Sequence, residues 1–125
     1  MTSRMDHFRQ QVYYWVKKIP KGKVTSYGAI AKLAGFPRHA RHVSKALGSA
    51  PDRKSLPWQR VIGADGKIAF HPDSDHYALQ QTLLQKEGIR VINGKVDMKR
   101  FSWESPLQQS EHQTENNMRA EEFFR

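Results

Sequence analysis

Ser26-Tyr27-Gly28-Ala29-Ile30-Ala31-Lys32-Leu33-Ala34-Gly35-Phe36-Pro37-Arg38-His39-Ala40-Arg41-His42-Val43-Ser44-Lys45-Ala46-Leu47 reads as two short helices joined by a tight turn. Ser26 can cap the first, its side-chain oxygen serving an unpaired amide of a helix that runs through Ile30 and Leu33 to Ala34. Gly35-Phe36-Pro37 makes the turn out. Ala40, Val43, Ala46 and Leu47 recur at three- and four-residue spacing, which predicts a second helix from about Arg38 to Leu47. Two helices so joined form a helix-turn-helix. The second displays Arg38, His39, Arg41, His42 and Lys45 away from its apolar residues, as a helix that contacts a nucleic-acid groove would.

Working outward, Phe8, Val12, Trp15, Val16 and Ile19 form an apolar stripe that predicts a helix from Asp6 to about Lys18, ended by Pro20-Lys21-Gly22-Lys23. Downstream, Arg60-Val61-Ile62 and Lys67-Ile68-Ala69-Phe70 flank Gly63-Ala64-Asp65-Gly66 and predict a hairpin that would serve as a wing. Asp75 to Lys86 reads as an amphipathic helix with Tyr77, Leu79, Leu83 and Leu84. Asn93-Gly94 predicts a second hairpin between Arg90-Val91-Ile92 and Lys95-Val96. The fold class is therefore α+β, mainly helical, a winged helix-turn-helix domain over residues 1–103. Residues 104–125 are polar and acidic and are expected to be a disordered tail.

The chain has 125 residues, 38% of them hydrophobic and 26% charged, enough for one domain. It contains no Cys, which excludes disulfides and thiolate zinc sites. No apolar run approaches the roughly 20 residues that span a bilayer, and Met1 to Asp6 lacks the apolar middle of a secretory signal. An intracellular, soluble protein is expected: cytoplasmic, and associated with the nucleoid or the nucleus according to its source. Net charge is +9, unevenly spread: residues 104–125 hold five Glu against two Arg, a net of −3, which leaves +12 on residues 1–103. Such a basic body attracts a polyanion by counterion release.

Pro57-Trp58-Gln59-Arg60-Val61-Ile62 resembles the Pro-Cys-His-Arg-Val signature of the O6-alkylguanine DNA alkyltransferases, with Trp58 at the place of the acceptor Cys and Gln59 at that of its base. Alkyl acceptance needs an activated thiolate, so the resemblance is to the alkyltransferase-like members, which hold alkylated guanine without repairing it. It covers about Asp6 to Trp103 and implies no enzymatic activity and no cofactor. It further implies that the second helix lies in the minor groove, where the small Ala40 and Ser44 permit close approach and little sequence is read.

Residue by residue, the resemblance implies that Arg41 enters the duplex in place of an extruded nucleotide, as a planar, always charged group can. Tyr27 presses on the adjoining phosphate and Glu87 matches the Glu of the family's Cys-His-Glu relay. The lesion pocket is then expected from Tyr27, Trp58, Gln59, Glu87 and Phe70, with Trp58 packing on the alkylated base. DNA contacts are expected from Arg38, Ala40, Arg41, Ser44, Lys45 and Arg60, although Arg60 in the family braces backbone carbonyls near the turn. Ala50 stands in place of the family's hinge Asn, and Ala69-Phe70-His71-Pro72 replaces the stretch that closes the pocket.

The partners so implied are double-stranded DNA containing O6-alkylguanine and nucleotide excision repair proteins, with no membrane, the protein itself being a monomer. The alternative is a winged-helix transcriptional regulator without lesion selectivity. A third reading has Glu87 or Asp73 activate water in a base-removing enzyme. His39, His42, His71 and His76 raise a metal site, but without Cys or a His-Glu-x-x-His pattern the signal is weak and no metal is expected.

Overall fold

In the computed structural model, which describes residues 4–51 and 55–106, helix α1 spans Arg4–Lys18. It buries Phe8, Val12 and Val16, with Ile19 just past its end. Each such side chain contributes about 1.5–3 kcal/mol relative to exposure. Gly22 then takes a left-handed φ of +86°, a conformation open to glycine at little cost, and so turns the chain toward β1, Thr25–Ser26.

Helix α2, Tyr27–Leu33, begins as expected: the Ala29 N–H donates to Ser26 Oγ at 3.0 Å. Helix α3, Ala40–Gly48, starts two residues later than its apolar spacing predicts. Pro37 and Arg38 belong to a turn closed by the His39 N–H to the Phe36 carbonyl (3.0 Å), and the helical ladder opens at the His39 carbonyl, which accepts from Val43 at 3.2 Å. Arg38 therefore precedes the helix. The buried face of α3, Val43, Ala46 and Leu47, packs with α1 and α2 into one core, which also takes in Leu56 and Val61.

Val61 and Ile62 form β2, reached through a single 3-10 turn, Trp58–Arg60. Successive strand residues face opposite sides. Val61 accordingly enters the helical core, whereas Ile62 enters a second core with Val24, Ile68, Leu84, Ile89, Val91 and Val96. The Trp58–Arg60 turn thus feeds the seam between two cores.

The α+β class holds, but the hairpin expected as a wing is not a paired unit. β2 runs parallel to β1, with Thr25 opposite Val61 and Ser26 opposite Ile62. The Gly63–Gly66 turn closes through the Gly63 N–H to the Lys67 carbonyl (2.9 Å), after which Lys67 bridges Lys95 and the Ile68 N–H donates to the Gly94 carbonyl. The outgoing segment therefore joins the second hairpin, β3 Val91–Ile92 with β4 Lys95–Val96. That hairpin forms as expected, Asn93 and Gly94 both having positive φ.

Helix α4, Asp75–Lys86, is capped by Ser74 and buries Gln80 and Leu84, while Leu79, expected in its apolar stripe, is 47% exposed. A short α5, Met98–Phe101, leads to Trp103, whose N–H donates to the Val24 carbonyl at 2.7 Å, and Ser105 is buried. The expected tail lies outside the described residues from position 107 onward. Among the described residues no helix is long and apolar enough to cross a membrane.

Candidate functional site

Beneath α3 lies a cavity of about 250 Å³ lined by Tyr27, Ser44, Leu47, Gly48, Trp58, Phe70 and His76. Tyr27 reaches it from the first residue of α2, Ser44 and Gly48 from α3, Trp58 from the 3-10 turn and His76 from the first turn of α4. Phe70 meets Trp58 edge-on at 6.1 Å and stacks on His76 at 5.2 Å. The wall is mainly aromatic. Burial raises the Tyr27 phenol above its ordinary value, which keeps it a neutral hydroxyl.

Gln59 and Glu87, expected in this pocket, are not among its lining residues. In a 3-10 turn neighbouring side chains diverge by a third of a revolution, so with Trp58 turned into the cavity Gln59 points elsewhere. Its amide donates to Glu87 Oε2 at 2.8 Å. Glu87 Oε1 accepts from the Gly22 N–H and from Arg60 Nε, each at 2.9 Å. The Glu87 side chain is only 7% exposed. Burial alone would raise its pKa; the Gly22 N–H, the Gln59 amide and the Arg60 guanidinium outweigh that and hold it below the usual value. A carboxylate so saturated is a poor base for activating water.

Arg60, expected both as a brace and as a DNA contact, is placed as the brace. Its Nε is engaged by Glu87, its Nη1 donates to the Ile19 carbonyl at 2.9 Å, and its side chain is 17% exposed. The contribution of Gln80 is not legible from the composition of α4. With 0% exposure, its Nε2 donates to the carbonyls of Gln59 (3.0 Å) and Val61 (2.9 Å), clasping the chain on both sides of Arg60. Gln80 and Glu87 thus hold the Trp58–Arg60 turn. The one signal in the sequence is the i, i+3, i+7 series Tyr77, Gln80, Leu84, in which a glutamine takes an apolar position.

On the outer face of α3, Arg41, Ser44 and Lys45 are exposed, and Arg38 is exposed on the turn before it; Ala40 is half-buried. Ser44 is both on this face and in the cavity wall. The histidines do not converge. His39 and His42 pack at 5.0 Å from each other and beside Phe8, whereas His76 lies with Trp58 and Phe70, and His71 neighbours Asp73 at 3.8 Å. Among the described residues no three metal-ligating side chains gather.

The family described as 6-O-methylguanine DNA methyltransferase, DNA binding domain, matches residues 7–89, which include the whole helix-turn-helix, the Trp58 turn and Glu87. The chain belongs to this family. It is 46% identical over 102 residues to a DNA base-flipping protein of Vibrio parahaemolyticus, covering 80% of this chain and 99% of that one. It is 34% identical over 105 residues to alkyltransferase-like protein 1 of Schizosaccharomyces pombe, covering 80% and 97%. Among solved structures it resembles the S. pombe protein in complex with damaged DNA containing O6-carboxymethylguanine, with a TM-score of 0.75, 33% identity and coverage of 82% of this chain and all of that one.

Within the methyltransferase family, then, the chain is similar to the alkyltransferase-like members: its 125 residues hold no Cys to accept an alkyl group, and Trp58 stands where the thiol would be. At the two positions that the resemblance assigns to the relay's His and Glu, the Gln59 amide donates to the Glu87 carboxylate.

Proposed function

We propose that the protein recognises O6-alkylguanine in duplex DNA without repairing it, by turning the base out of the helix into the cavity lined by Tyr27, Trp58 and Phe70. The observation that carries this reading is the position of that cavity: its wall is shared with Ser44 and Gly48 of α3, so a base leaving a groove occupied by α3 enters it directly. The aromatic wall offers stacking and apolar contact to a purine and its alkyl group. Relatives named for base flipping, and one solved with damaged DNA, support the same reading.

In finer detail, α3 lies in the minor groove, where Ala40 and Ser44 allow close approach and Arg41 fills the gap left by the extruded nucleotide. Tyr27 sits against the neighbouring phosphate, and Arg38 and Lys45 hold the backbone. The bound complex, a monomer on duplex DNA, then marks the lesion for nucleotide excision repair. Binding of otherwise identical duplexes with guanine or O6-methylguanine, measured by gel shift at fixed salt, tests the reading. Tighter binding of the alkylated duplex, with no change in the DNA, is expected. Equal binding of both, with preference for one sequence, would establish the transcriptional regulator instead.

A further inference from the structure

Among the described residues that line the cavity, one side chain is an imidazole. Tyr27 is held neutral, Ser44, Leu47, Gly48, Trp58 and Phe70 are uncharged, and His76 is the remaining lining residue. The His76 ring is set in place by two neighbours: it lies nearly parallel to Phe70, at 5.2 Å and 23°, and meets Trp58 edge-on at 6.3 Å.

On the reading above, an O6 substituent is directed at the acceptor position, hence at the Trp58 ring, and His76 borders that ring. We propose that His76 is a specificity-determining residue which reads the far end of the substituent, favouring O6-alkyl groups that terminate in a carboxylate or another hydrogen-bond acceptor over purely aliphatic ones. The imidazole N–H donates to such a terminus, and a hydrogen bond to a charged carboxylate is stronger than one between neutral groups. Stacking on Phe70 holds the ring before the base arrives, which lowers the ordering cost of binding. Methyl and other aliphatic groups gain contact only from Trp58 and Phe70 and are indifferent to the imidazole.

Fluorescence anisotropy at fixed salt, with the full chain and three duplexes of one sequence carrying guanine, O6-methylguanine or O6-carboxymethylguanine, tests the proposal. The preference for carboxymethyl over methyl is expected to fall about tenfold in His76→Ala, and by less in His76→Gln, which keeps a donor but not the ring that stacks on Phe70. Binding of the methyl duplex should change less than about twofold, as expected for contacts that do not involve the imidazole. An unchanged carboxymethyl-to-methyl preference, or an equal loss for both lesions, overturns the proposal and leaves His76 as a plain wall. If the unaltered protein fails to distinguish either lesion from guanine, lesion recognition itself falls, and this inference with it; the guanine duplex separates the two failures.

Discussion

Gln59 and Glu87 stand 2.8 Å apart, amide nitrogen to carboxylate oxygen, at the two positions that the family resemblance assigns to the His and Glu of a proton relay. An amide keeps the hydrogen bond and cannot move the proton.

This pairing makes a reconstruction experiment informative. With a labelled O6-methyl group in duplex DNA, no label should pass to the protein, and Trp58→Cys alone should transfer little, because Gln59 cannot activate the thiol. The double change Trp58→Cys with Gln59→His places an imidazole next to Glu87 and should give measurable transfer, reduced by Ala50 at the hinge position. Transfer by the unaltered chain would overturn the binder assignment.

Glu87 ties stability to pH. Its folded-state pKa lies below its ordinary value of 4.5, so its contribution is complete above that value and is lost as the pH falls through the folded pKa. The urea midpoint of the unaltered protein should fall over that acid range. Glu87→Gln, which leaves the Arg60 charge uncompensated, should cost about 3 kcal/mol near neutral pH and flatten this dependence. A variant with the original acid sensitivity would place the effect elsewhere.

Arg41 and Lys45 are both exposed on α3, yet their roles should separate. Arg41→Ala leaves the base gap unfilled and should weaken lesion binding by about 1–3 kcal/mol, with a much smaller effect on undamaged DNA. Lys45→Ala should weaken both and lower the salt slope by about one phosphate contact. Identical behaviour of the two variants in a titration of lesion and plain duplexes would refute the assignment of Arg41.

Gln80 should matter more than its place on a surface helix suggests. Gln80→Ala strips the carbonyls of Gln59 and Val61 of a shared donor and should destabilise the fold by about 2–4 kcal/mol. Amide exchange should quicken at Arg60 and Val61 before it does in α1. Unchanged exchange there would mean that the turn is held by Glu87 and Arg60 alone.

What the sequence alone determined were features settled by near neighbours. The Ser26 cap, the Asn93-Gly94 turn and the stripe of α1 depend on groups a few residues apart, and all are found. The loss of alkyl-transfer chemistry needs no neighbours at all, since it follows from a residue count. The resemblance carried the order Tyr27, Arg41, Trp58, Glu87, but it grouped Gln59 and Glu87 with the pocket and Arg60 with the DNA. Tertiary structure decided those placements, because each depends on a partner far along the chain: Gly22 and Gln59 for Glu87, Ile19 for Arg60, Gln59 and Val61 for Gln80. Likewise β2 pairs with β1, more than thirty residues away, instead of closing a local hairpin, since Ile62 must reach the second core while Val61 stays in the first. His76 enters the cavity for the same kind of reason: packing of α4 against the Trp58 turn, invisible in local spacing, sets which of its faces meets the aromatic wall.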